Sequence, residues 1–155
     1  MKIAMANDHA GTRLKNEIKA YLEEEGYEVV DFGAGNEESC DLSDFVYPAS
    51  LAVAKGECDR GRGIFVDGVG YGSALIPNKI NGIYAAVCQD PFCAKLARQH
   101  TDSNVLCLGA KIIGDMMAGE IVKTWLNTDP LMEEKYRRRV DKVKLINDKH
   151  CVPVK

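Results

Sequence analysis

Apolar runs and amphipathic stretches alternate along most of the chain. Runs at 2–7 (KIAMAN), 27–33 (YEVVDFG), 62–67 (RGIFVD), 82–88 (GIYAAVC) and 104–110 (NVLCLGA) read as strands buried on both faces. Between them the spacing becomes helical. Leu14, Ile18, Tyr21 and Leu22 share one face, and Gly26 marks a stop. Residues about 44–55 read as a helix with Pro48 near its first turn, and about 73–80 as a short helix that Pro77 limits or starts. DPFCAKLARQH (90–100) opens with an aspartate cap and a proline of fixed φ. GDMMAGEIVKTWLN (114–127) puts Met117, Ile121 and Trp125 on one side. After Pro130, residues 131–149 read as a basic helix, and the last residues are expected to fray.

Five strands, each followed by a helix, predict an α/β fold: a three-layer α/β/α sandwich around a five-stranded parallel sheet, Rossmann-like, with right-handed crossovers. One domain over 1–150 is expected, since no repeat, low-complexity segment or linker interrupts the pattern. In such sheets the ligand crevice lies beyond the carboxyl ends of the strands. That rule singles out Asp8-His9 after the first strand and Asp67-Gly68 after the third. It also marks Gln89-Asp90 after the fourth and Gly109-Ala110-Lys111 after the fifth.

Composition narrows the classes. A chain of 155 residues, 46% apolar and 28% charged, can bury one sizeable core. A net charge of -3 makes a nucleic-acid surface an unexpected feature, although Arg137-Arg138-Arg139 suits one small anion. No apolar stretch approaches the roughly 20 residues of a membrane span. The opening MKIAMANDHAG reads as a strand rather than a signal peptide. The six cysteines form no C-x-x-C pair, and His9, His100 and His150 complete no zinc spacing. A reduced, cytoplasmic protein without a metal site is the expectation.

The candidate chemistry centres on DGVGYG, with glycines at 68, 70 and 72. Glycines let main-chain N–H groups approach an anion closely. The spacing fits neither a Walker loop nor a Rossmann fingerprint, so a tight strand-to-helix turn is an equal reading. Asp67 either caps that turn or acts as a general base whose neighbouring amides stabilise an oxyanion. His9 and His100 stand at the ends of elements and can carry a proton or face a phosphate. KYRRRVDKVK (135–144) is either a solvated helix face or a phosphate grip, with Lys135 and Arg139 one turn apart.

NDHAG (7–11), GYEVVDFG (26–33), DGVGYG…NK (67–79), ARQHTDSNVLCLGAKIIG (97–114) and RRV (138–140), in that order, carry a resemblance over about residues 1–145. They resemble the sugar-phosphate isomerase family that contains type B ribose-5-phosphate isomerase and the two subunits of galactose-6-phosphate isomerase. The resemblance implies cofactor-independent interconversion of an aldose and a ketose phosphate, ribose 5-phosphate and ribulose 5-phosphate first. It also implies a homodimer or homotetramer with active sites shared between subunits. Carried over by position, Asp8 and His9 contact sugar hydroxyls or phosphate, and the amides of Gly68, Val69, Gly70, Tyr71 and Gly72 hold the enediolate oxygen. His100 opens the sugar ring. Thr101 stands where an asparagine often touches substrate, and Lys111, Lys135 and Arg139 where arginines commonly bind phosphate. Asp67 takes the place of the cysteine base of the ribose-5-phosphate type, as in one subunit type of galactose-6-phosphate isomerase. Two alternatives stay open: a subunit that needs a different partner chain, and a non-catalytic receiver-like phosphate-binding domain.

Overall fold

The computed structural model describes the backbone of residues 1–155 and every side chain except that of Arg60. The expected strands form as β1 (Lys2–Asn7), β2 (Glu28–Asp31), β3 (Gly63–Asp67), β4 (Ala85–Val87) and β5 (Val105–Gly109). The helices are α1 (Thr12–Glu24), α2 (Ser43–Ala54), α3 (Tyr71–Leu75), α4 (Pro91–Thr101), α5 (Asp115–Leu126) and α6 (Glu134–His150). All strand pairs are parallel, in the order β2-β1-β3-β5-β4.

Strand alternation builds two cores. Ile3, Met5, Ile64, Val66, Leu106 and Leu108 face α1, α4 and α5, where Leu14, Ile18, Ala94, Ile121 and Trp125 meet them. Ala4, Ala6, Phe65, Val105 and Cys107 face the opposite way, against Val46, Ala49 and Val53 of α2 and Ala74 of α3. Successive side chains of a strand point to opposite faces, so a sheet covered on both sides must be apolar at every position. The central strands β3 and β5 are buried throughout and apolar except for Asp67 at the end of β3, while the edge strands β2 and β4 are only partly buried.

Several local expectations change. Pro48 lies inside α2 rather than near its first turn, because the helix begins at Ser43. The short helix starts earlier, at Tyr71, and Pro77 opens a separate 3-10 turn over Pro77–Lys79. Met117 is 44% exposed, and the buried stripe of α5 runs through Ala118, Ile121, Val122 and Trp125 instead. The terminus does not simply fray: α6 continues to His150, and Val154 packs on the core beneath α2.

The end of α4 is anchored at the amino edge of the sheet. Trp125 is fully buried and its indole N–H donates to Ser103 Oγ at 3.0 Å. The guanidinium carbons of Arg62 and Arg98 stand 4.7 and 5.7 Å from its ring centroid. Arg98 also donates to the carbonyls of Thr128 and Ser103. Such satisfied polar groups fix where His100 emerges.

Candidate active site

The chain leaves β1 for β2 on one side and returns to β3 on the other, so β1 and β3 part at their carboxyl ends. Asp8 follows β1 and caps the next 3-10 turn: Oδ1 accepts from the N–H of Ala10 (3.0 Å) and of Gly11 (3.1 Å). Gly11 sits where a Cβ would lie 2.4 Å from the Val66 carbonyl oxygen, so only glycine allows this approach. The main-chain N–H of Cys40 donates to His9 Nδ1 at 3.4 Å, with Cys40 Sγ 3.9 Å from the same atom. A cleft of about 280 Å³ is lined by His9, Arg13, Glu37 and Lys111, among others. The Lys111 N–H donates to the Gly68 carbonyl at 2.9 Å, which ties the end of β5 to the glycine loop.

Asp67 ends β3 and is 4% exposed. Its Oδ1 accepts from the N–H groups of Val69 (2.8 Å) and Gly70, and its Oδ2 from that of Ser73 (2.8 Å). The turn is possible because Gly70 has φ +88° and because Gly109 leaves room for the Val69 backbone, 2.7 Å from where a Cβ would stand. This corrects one expectation. The amides of Val69 and Gly70 are expected to face a substrate oxygen, yet both donate to Asp67 Oδ1, because the turn folds them back over the carboxyl group that precedes them. The amides of Gly68, Tyr71 and Gly72 make no bond to that carboxylate. The side chains of Val69 and Tyr71 are 40% and 61% exposed.

The remaining expected residues gather elsewhere. The exposed His100 ring stacks on Tyr136, centroids 5.0 Å apart and planes 12° from parallel. Lys135 Nζ lies 4.8 Å from the centroid of the same tyrosine ring and the Arg139 guanidinium carbon 5.7 Å. Thr101 turns its hydroxyl back to the Ala97 carbonyl at 2.6 Å, which satisfies its donor within α4. α4 starts just beyond β4 and runs back against the sheet, and its 11 residues span roughly 16 Å. Asp67 pairs in register with Gly109 at the far end of β5, whereas His100 precedes the start of that strand. Within one chain, Asp67 and His100 therefore occupy opposite edges of the sheet.

The sequence profile described as Ribose/Galactose Isomerase matches residues 3–143. The chain belongs to that family. Ribose-5-phosphate isomerase B of Escherichia coli (strain K12) is 45% identical over 125 residues, covering 81% of this chain and 83% of its own. Galactose-6-phosphate isomerase subunit LacA of Staphylococcus aureus (strain JH9) is 40% identical over 125 residues, 79% of this chain and 84% of its own. Among solved structures, Clostridium thermocellum ribose-5-phosphate isomerase B superposes with a TM-score of 0.91 at 42% identity, covering 96% of this chain and 99% of its own. The protein is thus a sugar-phosphate isomerase with the three-layer fold of its family, and the receiver-like alternative falls away.

In this isomerase, several residues beside the site are not singled out one by one in the sequence. Asn7 is fully buried at the end of β1 and its Nδ2 donates to the Asp8 carbonyl and Thr12 Oγ1. Thr12 donates onward to the Asn36 carbonyl at 2.8 Å. Arg13 lines the cleft beside His9, and the 33–42 loop brings Cys40 to His9 and Leu42 to Gly72; the polar sequence of that loop has no periodicity to reveal its path. The buried thiols are poor nucleophiles: burial pushes Cys88 up to about 12, and Cys107 and Cys58 upward as well. Among the described residues, no group of three or more His, Cys, Asp and Glu side chains could hold a metal ion, and no helix is long and apolar enough to cross a membrane.

Proposed function

We propose that this isomerase interconverts ribose 5-phosphate and ribulose 5-phosphate through a cis-enediolate, without cofactor, in a site assembled from two copies of the chain. The observation that carries the shared site is the separation of the two half-sites. Asp8, His9, Asp67 and Lys111 collect at the carboxyl edge of the sheet, while His100, Lys135 and Arg139 collect around Tyr136 toward the other end of α4. Neither cluster has both a base and a ring-opening group. A second copy joined by two-fold symmetry can complete both sites at once. Exposed large apolar side chains, among them Tyr71, Leu75 (63%) and Phe92 (68%), leave surface for such contact.

In this reading His100 passes a proton between the ring oxygen and the anomeric hydroxyl, which opens the cyclic sugar. Asp67 takes the proton from the carbon beside the carbonyl and returns it to the former carbonyl carbon, while the hydroxyl proton on the carbon that lost its hydrogen passes through a polar side chain or water to the oxygen of the former carbonyl. A carboxylate offers about four acceptor positions, so its three amide bonds leave room for that proton. The enediolate oxygen is held by the amides of Gly68, Tyr71 and Gly72. His9 and Lys111 from one copy, with Lys135 and Arg139 from the other, bind the phosphate away from the reacting carbons. The five-carbon substrate is chosen on the similarity to the Escherichia coli and Clostridium thermocellum proteins. A second reading, a six-carbon sugar-phosphate isomerase subunit that needs a different chain, is favoured by Asp67 and by the similarity to LacA.

Mixing two crippled chains tests the shared site. Asp67→Asn and His100→Asn are each expected to be inactive alone. After subunit exchange at equal amounts, half of the dimers are mixed, and each mixed dimer has one intact site, so roughly a quarter of the wild-type rate returns. No recovery in dimers shown to have exchanged refutes the shared site. Purified chain tested on four-, five- and six-carbon aldose phosphates in deuterated water decides substrate and mechanism together. Turnover with deuterium at the carbon next to the carbonyl is expected for the five-carbon sugar, and no turnover without a second gene product favours the subunit reading.

A further inference from the structure

We infer that the main-chain N–H of Cys40 fixes His9 in a single tautomer and orientation, making the 33–42 loop a positioning element for the substrate-facing histidine. The hydrogen bond from Cys40 N to His9 Nδ1, 3.4 Å long, needs a lone pair on Nδ1. A neutral imidazole has one N–H and one lone pair, so the hydrogen must then sit on Nε2. The ring thereby presents a donor at its outer nitrogen, the polarity that a phosphate or hydroxyl oxygen accepts. With the opposite tautomer, the Nε2 lone pair would face that oxygen and repel it.

The donor is held in place by the same elements that carry the histidine. Asn7 of β1 and Thr12 of α1 flank His9 in sequence and grip the loop: Asn7 Nδ2 reaches the Ala34 carbonyl at 3.4 Å, and Thr12 Oγ1 the Asn36 carbonyl at 2.8 Å. Asn36 Oδ1 accepts from the Glu38 N–H at 3.1 Å and shapes the turn that leads to Cys40. At the loop's start, a Cβ on Gly33 would stand 1.8 Å from Asn7 Oδ1, so the backbone lies directly on the asparagine. Asn7 and Thr12 are 0% and 5% exposed. Their bonds are shielded from competing water, and the distance from His9 to the Cys40 amide is set by buried contacts.

What His9 touches rests on the isomerase reading above, but the tautomer does not. The test therefore has two arms on the full-length protein. In the first, ring ¹⁵N resonances of His9 are read above the imidazole titration range in the wild type, Cys40→Pro, Cys40→Ser and Thr12→Val. The wild type and Cys40→Ser, which keep the N–H, are expected to show Nδ1 unprotonated and Nε2 protonated. Cys40→Pro, which lacks the N–H, is expected to shift both signals toward the averaged values of exchanging tautomers. Thr12→Val, which frees the loop without touching residue 40, is expected to move the same way and serves if the proline variant does not fold. A protonated Nδ1 in the wild type, or identical signals in all four proteins, overturns the inference. In the second arm, KM for the sugar phosphate is expected to rise roughly tenfold or more in Cys40→Pro, the loss of one hydrogen bond to a charged group, with kcat within about threefold. A kcat loss at unchanged KM overturns the positioning role. Should no form turn over any sugar phosphate, the functional reading fails alone, and the ¹⁵N signals still decide the tautomer.

Discussion

Asp67→Asn is the most revealing single change in this molecule. The carboxylate accepts three main-chain N–H groups at a buried turn: two on Oδ1, from Val69 and Gly70, and one on Oδ2, from Ser73. An asparagine keeps only one acceptor oxygen. With that oxygen in the Oδ1 place, two bonds survive without charge assistance, and the Ser73 N–H meets an NH₂ group instead of an acceptor. Losing the charge costs about 1 kcal/mol per surviving bond, and an unsatisfied buried N–H about 1–3 kcal/mol. Relief from burying a charge offsets part of this, leaving a loss of about 3 kcal/mol. For a chain of this size that lowers Tm by roughly 6–12 °C, measurable by calorimetry. Activity is read separately at 25 °C, below the Tm of both proteins. A general base contributes about 10²–10⁴-fold, so kcat should fall by that much. Asp67→Cys separates the two roles. It puts an ionisable proton acceptor back at this position, but not the acceptor geometry. It should recover rate while remaining as unstable as Asp67→Asn. A Tm within about 2 °C of wild type would show that the carboxylate does not hold the loop. A kcat within about threefold would show that it is not the base.

Two further predictions concern pH. Burial raises the pKa of Asp31, but hydrogen bonds from Lys15, the Gly33 N–H and Lys19 outweigh it and hold the carboxyl below its usual range. Its contribution to stability is present above the unfolded carboxyl pKa of about 3.9 and lost as pH falls through the lower folded value. Asp31→Asn should shallow the acid limb of urea-unfolding curves. At pH 7 it should also cost about 3 kcal/mol, because Lys15 is 3% exposed and loses its carboxylate at 2.6 Å; an unchanged acid limb would refute this pairing. For Cys88 the sign reverses. Burial pushes its thiol up to about 12, so its stabilisation is complete below the unfolded thiol pKa of about 8.5 and declines above it. Stability should fall between about pH 9 and 10 by up to about 1.4 kcal/mol per unit for this thiol, less in Cys88→Ala, and a thiol reagent should label Cys93 in the native protein but not Cys88 or Cys107.

The strands, the layered architecture and the residues that gather at the carboxyl edge of the sheet were legible because they depend on local periodicity and one topological rule. Buried parallel strands read as continuous apolar runs, as β5 does and as β3 does up to Asp67; the rule that ligands meet the carboxyl ends then pointed to Asp8, Asp67 and Lys111 without knowledge of strand order. The Asp-Pro start of α4 was equally local, and Asp90 does accept from the Cys93 N–H at 2.8 Å. Both readings of Asp67, cap and base, fitted the letters DGVGYG. Only the fold revealed that the cap geometry is realised, because the direction of three amides depends on the Gly70 dihedral and on the Gly109 backbone beneath the loop. His100, Lys135 and Arg139 were singled out as separate positions. Their convergence on Tyr136, and their distance from Asp67, follow from α4 running back along the sheet and α6 packing on it. The path of residues 33–42 was not written in any periodicity, since it is fixed by buried hydrogen bonds from Asn7 and Thr12 to carbonyls that any residue could supply. The sequence by itself determined which segments are strands and which residues stand at the carboxyl edge of the sheet, both consequences of side-chain pattern. Tertiary structure alone decided where the amides point, which loop holds His9 and which of the candidate residues lie apart at opposite ends of the sheet, because those depend on backbone direction and on contacts between residues far apart in the chain.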